Sequence, residues 1–178
     1  MTSFDRVSRM NEAFGNPAGN GKLIHLERLH KQCLNIADEM AELMIALGVD
    51  SAKARWAATF FKASCKIADY QDVDLQPDIE GVRDALCDIH VFAYGAHHIM
   101  GIDADLDMAV VVDAVMTRFI KDDADKAATI AMHAAKGVTD VYFEGEYPKM
   151  IMKSASDQPD APKGKFLKSA SYTAPKFL

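Results

Sequence analysis

LERLHKQCLNIADEMAELMIAL, residues 26 to 47, decides how this chain folds. Its apolar positions Leu26, Leu29, Cys33, Ile36, Met40, Leu43 and Leu47 recur at alternating steps of three and four, the period of one helix face. The stretch therefore reads as a packed helix. At about 100° per residue, Asn35, Asp38, Glu39 and Glu42 fall in one arc roughly 100° wide at the edge of that stripe. Acids crowd the seam where a partner helix is expected. Carboxylates held close together at a partly buried seam repel one another, so the cluster persists only if some groups stay protonated or a cation sits among them.

A second acidic set follows in DALCDI, where Asp84 and Asp88 stand one turn apart. They border the apolar face Val82, Ala85, Leu86, Ile89, Phe92, Ala93 and Ala96 of a helix expected from about Pro77 to Met100. Two facing helices that each bring acids to the contact edge can cage a metal in a bundle core. All-oxygen donors suit a hard divalent ion, Mg²⁺ first and Mn²⁺ second. The plainer reading of either set is a solvated acidic face.

Working outward, 178 residues with 49% hydrophobic and 26% charged content suit one soluble domain with a real core. The expected division is a helical core over 1–137 and a basic tail over 138–178. A net charge of −6 disfavours nucleic-acid binding through the phosphate backbone, which needs an excess of Lys and Arg on one face. Cys33, Cys65 and Cys87 lack CxxC spacing and fall on apolar helix faces, so they read as reduced core residues in a cytoplasmic protein. No segment reaches the roughly 20 apolar residues of a membrane span, and MTSFDRVSRM has no long apolar run.

The rest of the chain reads as all-α, a bundle of about five helices with an irregular C-terminal tail. A short helix covers Phe4 to Phe14, and GNPAGNG, Gly15 to Gly21, is a loop. Gly21-Lys22 mimics a phosphate loop, but Asn16 and Leu23 stand where one needs Gly and Ser or Thr. Gly48-Val49-Asp50-Ser51 closes the acidic helix and caps the next, expected to run to about Tyr70, with Trp56, Phe60 and Phe61 as packing residues. QDVDLQPD, 71 to 78, leads into the second acidic helix, and another begins near Asp105. There Asp113 interrupts a mostly buried pattern, as an ion-pair partner of Arg118 or an extra metal ligand. A fifth helix spans Asp122 to Gly137, acidic at its start and closed by Lys136-Gly137. Beyond it VTDVYFEGEYP has room for a short extended pair, and six lysines from Lys149 to Lys176 mark a basic tail with two readings, folded back over a triphosphate or pyrophosphate or solvated and mobile, of which composition favours mobility.

These residues together resemble the all-α nucleoside triphosphate pyrophosphohydrolases, the MazG and phosphoribosyl-ATP pyrophosphohydrolase-like superfamily, marked by an EExxE helix and a later ExxD helix. The resemblance runs through FDRVSRMNEAFGNP, DEMAE at Asp38 to Glu42, DALCDIHVFAYGAHHIMGID, VDAVMTRF, and an ending, YPKMIMKS with PKGKFLKSASYTAP, like that of phage-type members. Asp38 replaces the first Glu of EExxE, and Asp84 with Asp88 replace ExxD, with Ala85 where the family Glu would sit. Positions three and four apart still share a helix face.

The resemblance implies Mg²⁺- or Mn²⁺-dependent hydrolysis of a nucleoside triphosphate to the monophosphate and pyrophosphate, with (d)GTP as the first substrate because one phage subgroup is directed to dGTP. It implies Glu39, Glu42, Asp84 and Asp88 as metal ligands, and Asp38 and Glu39 as catalytic groups, with Asp38 either the general base or a further ligand. Arg118 takes the place of a phosphate-contacting Lys, with Lys121, Lys153 and Lys165 as further phosphate contacts and Asn35 for sugar or base. It further implies a homodimer or homotetramer with sites between subunits, working in the cytoplasm, that of the host if the chain is phage-encoded. Two rivals stand beside it. A di-iron bundle needs ExxH on two helices, and only Glu27 to His30 supplies one; His97 and His98 lack metal-site spacing. The second is a non-catalytic helical oligomerisation or binding domain whose acids form a solvated face.

Overall fold

The computed structural model describes residues 1–20, 25–66 and 77–177. Gly21-Lys22, the helix end near Tyr70 and most of the 71–78 connection lie outside those residues. Among the described residues the chain is mostly helical, with six α-helices and a small antiparallel sheet. The helices are α1 (Ser3–Ala13), α2 (Leu26–Ala46), α3 (Ser51–Ser64), α4 (Ile79–Met100), α5 (Ala104–Met116) and α6 (Asp123–Ala134). The strands β1 (Val141–Glu144), β2 (Ile151–Ser154) and β3 (Phe166–Leu167) pair in the order β1-β2-β3. No described helix is long and apolar enough to cross a membrane.

Helix starts follow the acids. The carboxylates of Asp50, Asp103 and Asp122 accept backbone N–H groups of the first turns of α3, α5 and α6, and Thr2 with Asp5 forms a reciprocal cap on α1. Gly48 ends α2 at φ +96°. There its N–H reaches the Ile45 carbonyl and that of Val49 reaches Met44, both at 3.0 Å, a paired closure that needs a left-handed residue.

Two compact units emerge, Ala18–Val91 and Met1–Pro17 with Phe92–Leu178, and the division falls inside α4. In the first, α2 and α3 form an antiparallel hairpin whose seam is Ala41 against Ala54 and Ala58, all buried. Small residues let the two backbones approach closely. His30 is buried on the same helix, its Nε2 2.8 Å from the Cys65 carbonyl. Beside the seam an apolar groove of about 630 Å³ is lined by Cys33, Met40 and Met44 of α2, Phe61 of α3 and Ile89 of α4, among others. No Cα of α4 comes within 8 Å of one in α2 among the described residues.

Several expected core residues are on the surface. Trp56 is 67% and Phe60 60% exposed, stacked on each other at 5.4 Å on the face of α3 opposite Ala54 and Ala58. Cys33, Cys65 and Cys87 are likewise exposed. On α3 the alanine seam consumes one narrow face, and α4, which carries Cys87, has no described helix covering its own.

In the second unit α1 packs on α5, and Phe14 closes on Phe119 at 4.8 Å and Phe166 at 5.2 Å. The core is Ile120, Val138, Met152, Ala161 and Leu167. Here the segment that composition marks as mobile is folded, because VYFE and IMKS pair antiparallel in register, Val141 with Ser154 through Glu144 with Ile151, and β2 is buried at three of its four positions. Gln158 ties its loop down: Oε1 accepts the N–H groups of Thr139 and Asp140, and Nε2 donates to the Asp140 carbonyl and Ser154 Oγ.

Candidate functional site

Asp38, Glu39 and Glu42 sit on α2, and Asp84 and Asp88 on α4, all in the first unit and all exposed. The α2 acids do not lie at the groove. At about 100° per residue their arc, with exposed Asn35, is centred on the side of the helix opposite Cys33, Ala37, Met40 and Met44. The seam is instead filled by Ala41, and Asp38 is the acid that borders it. Lys62, near the end of α3, places its Nζ 2.8 Å from both Oδ1 and Oδ2 of Asp38. The charge that crowding demands is thus supplied, for Asp38, by an ammonium group. Glu39 has an interaction of its own.

On α4 the two aspartates lie within an uncovered apolar face. Within about 60° of Asp88 around the helix fall Asp84, Val91, Phe92 and Ile99, and the last three are 63%, 76% and 86% exposed. Hard carboxylate oxygens are the right donors for Mg²⁺ or Mn²⁺. Even so, no three His, Cys, Asp or Glu side chains among the described residues gather in a group that could hold a metal ion. One chain's described residues do not assemble the shell.

The remaining candidates belong to the second unit. Lys153 is paired with Glu144 at 2.6 Å, and Lys165 donates to the Asp160 carbonyl at 2.6 Å. Lys121 is exposed, with its backbone N–H on Asp125 Oδ2 at 3.2 Å. Asp113 is an exposed surface acid on the outer side of α5, 3.4 Å from Arg6 and not in an ion pair with Arg118. Arg118 instead sets its guanidinium carbon 5.5 Å from the Tyr172 ring centre, and its buried Nε has no hydrogen-bond partner among the described residues. His97 is spent on the Ala93 carbonyl at 2.9 Å.

Elsewhere, Asp105 is held below the usual carboxylate range by the Ser3 hydroxyl and then by that of Tyr94, whose own pKa is pushed up by the same bond. Sequence reasoning missed Lys62, Lys168 and Tyr172. Lys62 had a signal, since it and Asp38 are equally far along the chain from the Asp50 cap about which the hairpin folds. The other two had none, being placed by long-range contacts.

No known family, no curated protein and no solved structure matches this chain.

Proposed function

We propose that the chain is a nucleoside triphosphate pyrophosphohydrolase of the cytoplasm, with (d)GTP the first substrate to test and Mg²⁺ or Mn²⁺ the ion its carboxylates suit. One observation carries the reading: Asp84 and Asp88 stand in an apolar face of α4 that the described residues leave exposed. Acids amid exposed Val91, Phe92 and Ile99 are costly to bury unless paired or metal-bound, and such a face calls for burial.

A second copy of the chain fits that face. Its α3 carries Lys53 and Arg55 and no acid, with Trp56 and Phe60 exposed, which complements α4 in both charge and apolarity. In the dimer or tetramer the acid pairs Glu39 with Glu42 and Asp84 with Asp88 are the donors for the ion. Bound there, the ion would neutralise phosphate charge. The reaction is water attacking the α-phosphorus of the triphosphate, with the bond to the bridging oxygen breaking to release pyrophosphate. Asp38, fixed by Lys62, and Glu39 are the groups to receive the proton of that water, directly or through one more molecule.

The rival is the non-catalytic helical domain, favoured by the absence of a three-donor group among the described residues and by Lys62 on Asp38. Chromatography of the products from each common dNTP and NTP, with Mg²⁺, Mn²⁺ or chelator, separates the two. Metal-dependent release of monophosphate and pyrophosphate, abolished in a folded Glu39→Gln variant, supports the enzyme; no turnover of any nucleotide, or full activity in that variant, removes it.

A further inference from the structure

The apolar groove beside the α2–α3 seam lies within the first unit and has a direction. Its α2 side is the ridge Cys33, Ala37, Met40 and Met44, and its α3 side the ridge Lys53, Ala57 and Phe61. The span from Cys33 to Met44 is about 16 Å at 1.5 Å per residue. Ala41, Ala54 and Ala58, buried in the seam, line its floor. Met40, Phe61 and Ile89 are left 51%, 50% and 41% exposed, apolar area whose burial is favourable.

Charge singles out one end. Among the described residues that line the groove, Lys53 is the one charged side chain. It stands in the first turn of α3, so in an antiparallel hairpin it falls near Met44 and Val49 and far from Cys33. Its ammonium has no ion pair among the described residues, where the cations that do are Arg6, Lys62 and Lys153. The arc of Asp38, Glu39 and Glu42 is centred on the opposite side of α2, and Asp50 Oδ1 is spent on the Lys53 backbone N–H at 3.0 Å. No acid lines the groove to repel an anion.

We propose that this groove binds a linear alkyl carboxylate, its chain laid along α2 toward Cys33 and its carboxylate on Lys53. The volume of about 630 Å³ falls in the range of about 300–1,000 Å³ typical of small-molecule sites. A helix about 10 Å across would need roughly twice that volume to sink in over the same length, so a single alkyl chain is the better fit. Met40 and Met44 are unbranched and adapt to its course. The site goes beyond the hydrolase reading, since it needs no metal, nucleotide or turnover.

The test is calorimetric titration of the full chain at low salt with octanoate, decanoate and dodecanoate, each below its micelle concentration. Affinity should rise about twofold or more for each added methylene. Dodecyltrimethylammonium, the same chain with the opposite charge, should bind more weakly than dodecanoate. Lys53→Gln should weaken dodecanoate roughly threefold or more, whereas Lys31→Gln, an exposed lysine of α2 outside the groove, should bind as the parent does. Ala57→Phe, which sets a ring into the groove from an exposed position, should abolish binding with an unchanged thermal melt. No heat with dodecanoate, equal affinity for the two dodecyl ions, or undiminished binding in Ala57→Phe overturns the site. So does an oligomer of the parent chain that dissociates in Ala57→Phe without ligand, read by sedimentation, because a second copy is then the cover. If Ala57→Phe fails to fold, Lys53→Gln and the chain-length series decide.

Discussion

Lys62 Nζ lies 2.8 Å from both carboxylate oxygens of Asp38, so the first acid of the motif-like DEMAE run is held by the neighbouring helix. A cation seeking Asp38 must displace that ammonium. Lys62→Met should therefore raise the affinity for Mg²⁺ several-fold if Asp38 is a ligand, read by calorimetry. The side chains are 35% and 50% exposed, so the cost in stability stays under about 1 kcal/mol by denaturant unfolding. Unchanged metal affinity would remove Asp38 from the ligand set.

The alanine seam makes a second expectation. Ala58 is buried between α2 and α3 against Ala41, where added methyl groups force the helices apart. Ala58→Leu should cost about 1–3 kcal/mol in chemical denaturation, whereas Ala57→Leu, one residue away and exposed, should cost little. Equal effects at the two positions would mean that the hairpin register is wrong.

Helix existence was legible throughout because periodicity and caps are local: Asp50 caps α3 as its place after Gly48 implies, and α6 runs from its aspartates to the Gly137 turn. Partners were not legible. The stripe of α2 reads as one seam, yet α3 takes its Ala41 side, so the arc of Asp38, Glu39 and Glu42 faces away from the groove. Extended chain was legible in VTDVYFEGEYP, where β1 forms, but not its partners β2 and β3, strands of four residues or fewer whose loop is tied down by the bonds of Gln158 to Thr139 and Asp140. The acids themselves were legible as an acidic pair on each of two helices; which of them meet is a matter of packing that no spacing encodes.

Gln158 carries the third prediction. Three of its four amide bonds hold the turn before β1 to the loop after β2, and the fourth reaches Ser154 of β2, which is fully buried. Truncation leaves Ser154 Oγ without its donor and frees the loop. Gln158→Ala should cost about 1–3 kcal/mol, measured by denaturant unfolding. A loss below about 0.5 kcal/mol, the usual surface range, would mean that the loop is held by its backbone bonds alone.

Tyr147 gives the last, through pH. Its hydroxyl donates to Asp123 Oδ1 at 2.8 Å, and that bond, with the negative charge of Asp123 and its neighbours, pushes the phenol up to about 12 from its ordinary value near 10. The raised group is the protonated donor. Its contribution to stability is therefore complete below about pH 10, where both folded and unfolded forms keep the proton, and is lost as pH rises toward 12. The phenol is solvent-exposed, so the readout is titration and not a large energy. Absorbance titration of the folded chain should show a tyrosine ionising near 12, and Tyr147→Phe should remove that step. Asp123→Asn should instead move it back toward 10, because the amide no longer repels the phenolate. A late step that survives Tyr147→Phe would assign the shift to Tyr94, whose bond to Asp105 acts in the same direction.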